Sequence, residues 1–289
     1  HEVTLNPLGI HSFVWVGGWD REQCAEAVSK TATAGYDLIE ISGMHPELID
    51  IEHTRRCLVD ANLSATVSLG LPVSGDINSE DLAKVNRGRD ILLSAVNLTS
   101  GIGSSFLGGV IFGALNKYDR PTTAAARRNS ASVIQEVAQE AQRRGISIGL
   151  EFVNRYESNL LNTVEQTLDY IDLVGEANVL VHADVYHMNI EERNFRDPLL
   201  SCGDRLGYVH IGESNRGYLG SGTIDFNEVF TTLVEMNYPG PITFESFSSR
   251  VVDDALAVAL CVWRDLWEDN MALAVHAREF MTAQLTSAR

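Results

Sequence analysis

The stretch Gly149-Leu-Glu-Phe-Val-Asn-Arg-Tyr-Glu157 decides the fold. It continues an apolar run that opens at Ile146, and Glu151 breaks that run before a polar cluster begins. An ionised carboxylate is costly to bury without a partner, so a carboxylate that closes an apolar strand indicates a function. The stretch therefore predicts a buried β-strand whose carboxyl end reaches a polar site.

Three later stretches repeat this arrangement. They are Val179-Leu-Val-His-Ala-Asp184, Gly207-Tyr-Val-His-Ile-Gly-Glu213 and Pro241-Ile-Thr-Phe-Glu245. Each leads apolar residues into a carboxylate or an imidazole. Four such endings predict convergence on a cation, with the candidate ligands Glu151, Asp184, His210 and Glu245.

Short apolar or β-branched runs alternate along the chain with longer segments of helical period. This alternation is typical of repeated βα units around a parallel sheet. The predicted strands are residues 8–14, 38–41, 65–69, 107–112, 146–152, 179–184, 206–211 and 242–244. Predicted helices include residues 20–34, 46–61, 80–96, 122–144, 163–174 and 225–236. Eight units predict an α/β fold, the (β/α)8 TIM barrel, as a single domain over residues 1–289 with additional C-terminal helices.

Several predicted helix boundaries carry the expected local chemistry. Asp20 and Thr163 are candidate N-caps, and Pro46 suits a first helical turn. Gly35 and Gly145 are candidate C-terminal stops. From residue 251 onward, a long helical region could cover the barrel or form a subunit contact, and we favour packing on the barrel for at least part of it.

A TIM barrel gathers functional residues at the carboxyl ends of its strands, and the four candidate ligands close predicted strands five to eight. Three carboxylates and one imidazole form an oxygen-dominated set. Such a set suits Mn²⁺ or Mg²⁺, with Co²⁺ as an alternative, and it lacks the thiolates of a structural zinc site.

Composition and charge exclude some classes of partner. The chain has 289 residues, 45% of them hydrophobic, and a formal net charge of −17. Such an acidic chain argues against nucleic acid, because binding to a phosphate backbone rests largely on Lys and Arg. The longest apolar run is far too short to cross a bilayer, so we expect no membrane contact. Four scattered cysteines without a Cys-x-x-Cys pair favour reduced thiols and a cytoplasmic location.

Four motifs resemble the ketose 3-epimerase family, which includes D-tagatose, D-psicose (allulose) and L-ribulose 3-epimerases. They are Leu150-Glu-Phe-Val-Asn-Arg-Tyr-Glu157, His182-Ala-Asp-Val-Tyr-His-Met-Asn-Ile-Glu-Glu192, His210-Ile-Gly-Glu-Ser-Asn-Arg216 and Phe244-Glu-Ser-Phe247. The resemblance runs from Gly9 through residues 262–265 and is strongest between residues 149 and 247. It implies a xylose-isomerase-like barrel.

The resemblance also implies roles for single residues. The metal ligands would be Glu151, Asp184, His210 and Glu245, and Glu151 and Glu245 would double as the catalytic acid/base pair. Substrate-anchoring roles fall on Glu157, His187 and Arg216. The family commonly uses Mn²⁺, with Co²⁺ or Mg²⁺ as substitutes, and forms homodimers or homotetramers that act on free ketoses.

The chemistry of a ketose agrees with this assignment. The C3 hydrogen is acidic because it lies beside the C2 carbonyl, and a metal would stabilise the enediolate formed on deprotonation. Inversion then needs proton delivery to the opposite face, which two carboxylates can divide between them.

Other positions bear on the pocket rather than on the metal. His11 and Leu115 depart from the aromatic residues that several family members carry at these places, so the preferred sugar stays open. Trp15, Phe112 and Phe247 are candidates for the apolar wall. Glu213 is left out of the site, because it is equally suited to orienting His210 or the loop.

Three alternatives remain beside C3 epimerisation. An aldose–ketose or hydroxypyruvate isomerase on the same barrel would move hydrogen between C1 and C2. An endonuclease-IV-like phosphodiesterase would need a His-rich zinc cluster and a basic DNA face, neither of which the sequence shows. A barrel that binds sugar without turnover is disfavoured, since all four ligand types are intact.

Overall fold

Eight parallel strands close into a barrel in the computed structural model, which describes residues 5–289. Each strand pairs with the next along the chain, and the last pairs with the first. The strands are β1 (Leu8–His11), β2 (Leu38–Ser42), β3 (Ser64–Leu71), β4 (Phe106–Ala114), β5 (Ser147–Glu151), β6 (Val179–Asp184), β7 (Leu206–Ile211) and β8 (Ile242–Phe244). The predicted TIM barrel is confirmed. The predicted domain also includes residues 1–4, which lie outside the described residues.

Helices lie between the strands and surround the barrel. They are α1 (Arg21–Thr33), α2 (Ile51–Asp60), α3 (Leu82–Gly101), α4 (Ala124–Arg143), α5 (Val164–Val174), α6 (Val185–Glu191), α7 (Arg196–Cys202), α8 (Phe226–Glu235), α9 (Asp254–Ala259) and α10 (Asn270–Ala288). The strands are buried on both faces, as a parallel sheet covered by helices requires. Their near-continuous apolar runs follow from this burial.

The predicted helix ends are largely confirmed by hydrogen bonding. Asp20 and Thr163 each accept a bond from the third helical N–H, and a glutamine there returns the bond as a capping box. Gly35 and Gly145 adopt the left-handed conformation after α1 and α4, with φ of 86° and 70°. A glycine does so without the steric cost of a Cβ.

Two predicted elements are shorter than expected. The strand predicted over residues 8–14 ends at His11, whose Nδ1 accepts a hydrogen bond from Phe13 N and starts a 3-10 turn. The helix predicted over residues 46–61 is divided. Pro46–Leu48 forms a 3-10 turn, and Asp50 then caps α2 through His53 N.

Strand β4 bulges at the carboxyl end of the barrel. Gly70 of β3 pairs with Val110, but the next residue pairs with Ala114, so residues 111–113 are additional on β4. A bulge re-aims the chain that follows it. Leu115 is thereby placed in the wall of the pocket at the barrel mouth.

The C-terminal region packs on the barrel through α10. Leu273, Ala277 and Met281 are fully buried, and the Tyr36 hydroxyl, just after α1, donates to Ala274 O at 2.6 Å. This confirms the expected packing for that part of the region. Among residues 5–289, no helix combines the length and the apolar character that crossing a membrane demands.

Candidate active site and metal centre

The four candidate ligands meet at the carboxyl end of the barrel. Glu151 and Asp184 are the last residues of β5 and β6, His210 is the penultimate residue of β7, and Glu245 directly follows β8. Strand register fixes this arrangement, because Asp184 pairs directly with His210. The side chains therefore come from four consecutive strands.

Three carboxylates surround one ring nitrogen of His210. Its Nδ1 lies 3.3 Å from Glu151 Oε2, 3.4 Å from Asp184 Oδ2 and 3.4 Å from Glu245 Oε2. All four side chains are buried. One oxygen from each carboxylate thus lies within 3.4 Å of a single imidazole nitrogen, and Asp184, His210 and Glu245 form one group of atoms close enough to share a metal ion.

Glu40 belongs to this centre, although the sequence reasoning missed it. Its Oε1 lies 2.6 Å from His210 Nε2, and its Oε2 accepts from Ser68 Oγ at 2.5 Å and lies 3.2 Å from His11 Nε2. A carboxylate on the far nitrogen fixes the tautomer and orientation of a metal-binding histidine. The signal was present, since Glu40 interrupts the apolar second strand as Glu151 interrupts the fifth.

The crowding of buried charges shifts several pKa values. Burial raises the pKa of Glu151 to about 7, and burial with Asp184 and Glu151 nearby raises that of Glu245 well above its usual range. Burial alone would lower the pKa of His210, but the charges of Glu40 and Glu245 raise it well above its usual range. In the absence of a cation, protons therefore supply part of the missing positive charge.

The residues fit a divalent cation. Four buried carboxylates lie around His210, three of them beside Nδ1 and Glu40 beside Nε2. The positive groups beside them are the His210 imidazole and the Arg216 guanidinium, whose Nη2 lies 3.9 Å from Glu245 Oε1. Uncompensated buried charge of this kind is unfavourable. A hard divalent ion would neutralise it and would accept this set of oxygen and nitrogen donors.

Glu157 and His187 lie beside the candidate metal ligands and are joined by Asn154. Asn154 Nδ2 donates to Glu157 Oε2 at 2.6 Å, and Asn154 N donates to His187 Nδ1 at 3.0 Å. With Nδ1 accepting, His187 keeps its proton on Nε2, which lies 3.9 Å from Asp184 Oδ2. The site thus offers a neutral N–H donor and a carboxylate acceptor, which suit sugar hydroxyls.

Arg216 reaches the same pocket from the loop after β7. Its guanidinium carbon lies 3.8 Å from the centre of the Tyr186 ring and 4.9 Å from that of Phe247. Stacking on the two aromatic rings fixes the orientation of the guanidinium plane. The N–H groups at the edge of that plane can then donate hydrogen bonds in a defined direction. Arg216 has a left-handed backbone with φ of 59°, so the loop is held in a specific conformation.

Glu213 holds the loop that carries Arg216. Its buried carboxylate accepts hydrogen bonds from the backbone N–H groups of Ser214, Gly220 and Ile224, at 2.9 to 3.2 Å. These hydrogen bonds hold the loop around the Glu213 carboxylate. Glu213 therefore acts on the site indirectly, by fixing the position of Arg216.

The pocket wall differs in part from the sequence expectation. His11, Leu115 and Phe247 line it, as expected. The prediction for Trp15 is wrong, because its indole Nε1 donates to Thr31 Oγ1 of α1 and the ring is in the core. The prediction for Phe112 is also wrong, because its ring packs in the core against Tyr170 of α5. Further wall residues that the sequence reasoning missed are Phe13, Met44, Leu256 and Leu260.

Comparisons with known proteins identify the family of the chain. The family model "Xylose isomerase-like TIM barrel" matches residues 28–282. An L-ribulose 3-epimerase from Methylomonas sp. (strain DH-1) is 47% identical over 273 residues, covering 94% of this chain and 96% of that protein. A ketose 3-epimerase from Arthrobacter globiformis is 44% identical and covers 97% of each chain.

Solved structures show the same likeness. A D-allulose 3-epimerase from Methylomonas sp., crystallised with D-allulose, superposes with a TM-score of 0.95 at 46% identity, covering 96% of this chain and 97% of that one. An L-ribulose 3-epimerase superposes with a TM-score of 0.96 at 40% identity, covering 99% and 96%. The chain belongs to the xylose isomerase-like TIM barrel family and, within it, to the ketose 3-epimerase group of isomerases.

Proposed function

We propose that this protein is a metal-dependent enzyme that epimerises free ketoses at C3. The observation that carries the proposal is the placement of Glu151 and Glu245. Both carboxylates approach His210 Nδ1 at 3.3 to 3.4 Å, yet they come from β5 and β8, which are separated by two strands. We infer from this separation that they would reach a bound substrate from different sides of the centre.

The ligand set supports Mn²⁺ as the metal, with Co²⁺ or Mg²⁺ as substitutes. Glu151, Asp184, His210 and Glu245 are the ligands in this proposal, and Glu40 orients His210. When bound, the cation would act as a Lewis acid that polarises the C2 carbonyl and makes the C3 hydrogen more acidic.

The protein's own residues then supply the proton transfers. One glutamate removes the proton from C3, and the other returns a proton to the opposite face, which inverts the configuration. The reverse reaction exchanges their roles. A carboxylate suits either role, because it can accept a proton as a base and return one as an acid.

The neighbouring residues hold the sugar in place. Glu157 can accept from a hydroxyl, while His187 Nε2–H and the Arg216 guanidinium can donate. Among the described residues lining this pocket, Arg216 is the one Arg or Lys, so a free sugar fits better than a phosphorylated one. L-ribulose, D-psicose/D-fructose and D-tagatose/D-sorbose are the substrate pairs that we propose to screen.

Solvent isotope labelling tests the reaction. Turnover of a ketose in D₂O with the Mn²⁺-loaded enzyme should place deuterium at C3 of the product, read by NMR after chromatography. An aldose–ketose isomerase would instead label or transfer hydrogen at C1 and C2. Product that carries deuterium at those positions and none at C3 would refute the proposal.

Paired substitutions test the two-carboxylate mechanism. Glu151→Gln and Glu245→Gln should each suppress epimerisation severely, because inversion needs both faces and each side chain also helps to hold the metal. Glu26→Gln, an exposed glutamate paired with Lys30 on α1, is the control and should leave turnover unchanged. Metal content is measured beside the kinetics. Either active-site variant turning over at the parent rate would contradict the mechanism.

A further inference from the structure

A second group of side chains that could hold a metal ion lies in the outer helical layer. Cys24 of α1 and His53 and Cys57 of α2 offer a sulfur, a nitrogen and a sulfur, all within 4.8 Å of one another. Cys24 is buried, and the other two are half-buried. None of the three is among the residues that line the active-site pocket.

The helices bring these residues together by spacing and packing. His53 and Cys57 are four residues apart, so they share one face of α2. That face packs against α1, where Cys24 Sγ lies 3.7 Å from Thr54 Oγ1 of α2. Two helices therefore contribute ligands, and the cluster does not depend on a flexible loop.

The spacing fits a tetrahedral zinc ion. Zn–S bonds of about 2.3 Å and Zn–N bonds of about 2.0 Å give a sulfur–nitrogen edge of roughly 3.6 Å in a tetrahedron. Cys57 Sγ lies 3.6 Å from His53 Nε2. Little movement of this pair is needed to place both atoms in one coordination shell.

We propose that Cys24, His53 and Cys57 form a second metal site for a thiophilic cation, with Zn²⁺ as the best fit. Water completes the shell, since two of the ligands are accessible to solvent. Binding replaces the two thiol protons, which leave to solvent, and forms two metal–sulfur bonds. The charge of +2 then balances two thiolates, so the buried Cys24 thiolate is compensated.

The rearrangement on binding is small and defined. His53 Nε2 lies 3.1 Å from Arg21 O, which is a hydrogen bond when that nitrogen carries the proton. Ligation requires the tautomer protonated on Nδ1 and breaks this bond. Cys24 stays a neutral thiol until a cation arrives, because burial raises its pKa to about 12.

The two sites have opposite chemical preferences. The barrel-mouth centre presents oxygens and one nitrogen, which suit hard ions such as Mn²⁺ or Mg²⁺, whereas the outer cluster presents two sulfurs. One chain can therefore hold two different metals at once. The outer site would fasten α1 to α2 and stabilise the first quarter of the barrel.

Cadmium binding tests the proposal directly. The Mn²⁺-loaded enzyme, with exposed Cys261 replaced by Ser in every variant, is titrated with Cd²⁺ under a reducing agent that does not bind metal. Thiolate-to-cadmium charge transfer in the ultraviolet reports sulfur ligation, which the carboxylate centre cannot produce. We expect one equivalent per chain with this absorption.

Variants locate the bound ion. Cys57→Ser and His53→Ala should bind Cd²⁺ about tenfold more weakly or worse. Cys202→Ser, which removes a buried cysteine outside the cluster, should bind like the parent. Circular dichroism confirms folding, and His53→Ala carries the test if a cysteine variant misfolds. If Cys57→Ser and His53→Ala both bound Cd²⁺ with the affinity and the charge-transfer absorption of the parent, the proposal would be overturned. A native disulfide between Cys24 and Cys57 would also overturn it.

Discussion

Glu40 shows how much of the site depends on a residue that need not touch substrate. Its carboxylate joins His210, Ser68 and His11 by contacts of 2.5 to 3.2 Å. Glu40→Gln would keep the shape but remove the charge that favours one His210 tautomer. Partners of this kind commonly contribute tenfold or more to metal affinity.

We therefore expect Glu40→Gln to weaken Mn²⁺ binding by roughly 10- to 100-fold. Calorimetric titration of the metal-free protein measures the affinity. At saturating Mn²⁺, turnover should recover to a large extent, because the two glutamates proposed to transfer protons are intact. Unchanged metal affinity would contradict the orienting role of Glu40. Glu26→Gln again serves as the exposed control.

The raised pKa values of Glu151 and Glu245 predict how pH affects the metal-free protein. Glu151 titrates at about 7 when folded, compared with 4.5 for an ordinary glutamate, and Glu245 is shifted in the same direction. The folded state therefore holds protons that the unfolded chain has released. The contribution of these groups to stability is present at low pH and is lost as pH rises through about 4.5 to 7 and beyond.

We expect metal binding to displace those protons and so to offset the loss of stability at high pH. The rise in Tm caused by saturating Mn²⁺ should thus be larger at about pH 8 than at about pH 6. Calorimetry in buffers of different ionisation enthalpy would count the protons released. If the rise in Tm caused by Mn²⁺ were instead smaller at about pH 8 than at about pH 6, the two glutamates would not have held protons in the metal-free protein.

At the scale of single elements, the backbone path of β4 requires a glycine at position 109. Its φ is 105°, and a Cβ there would lie 2.2 Å from Leu69 O, a backbone atom that cannot give way easily. Its N–H also donates to His182 Nδ1 at 3.3 Å. Any side chain would therefore push β3 and β4 apart beside the pocket.

Gly109→Ala should lower the free energy of unfolding by about 3 kcal/mol or more, since conformational strain and a backbone clash add together. Gly145→Ala is the matched control, because its φ is 70° but a Cβ at this position would meet nothing within 4 Å. It should cost only about 1 kcal/mol. Urea unfolding measures both. Equal losses would mean that the clash is relieved by local adjustment.

The sequence predicted elements well where local chemistry decides them. Thr163 and Asp20 cap helices because their side chains bond N–H groups three residues away, and Glu151 and Asp184 close strands whose apolar runs are continuous. Glu40 also interrupts an apolar strand, but nothing in the sequence shows that its partner is His210, which is 170 residues distant. The direction of a side chain at a bulge, as for Phe112, likewise depends on pairing that the sequence does not display.

At the scale of the whole molecule, α10 completes the outer layer of helices around the barrel. It contacts α8 and the segment after α1, where Arg278 Nε donates to Gly35 O at 2.7 Å. Its buried positions fill the space between those elements, and Met281 is completely enclosed. The stability of the closed barrel should therefore respond to this distant helix.

Met281→Ala should reduce the free energy of unfolding by about 2–5 kcal/mol, the usual range for emptying a core site. Val275→Ala, at a position on α10 that is 37% exposed, should change it by less than about 0.5 kcal/mol. Chemical denaturation gives both values. Comparable effects of the two substitutions would show that α10 is loosely attached.

The four candidate metal ligands all belong to the second half of the barrel, β5 to β8, whereas Phe13, Met44 and Leu115 of the pocket wall follow strands of the first half. Substitutions can accumulate in the wall residues during evolution without disturbing the ligands. We therefore expect related proteins to differ in the sugars that they bind while they keep the glutamates that we propose to transfer protons. Exchanging Phe13, Met44 and Leu115 for the residues of a relative, and then comparing the sugars that each variant converts, would test this expectation.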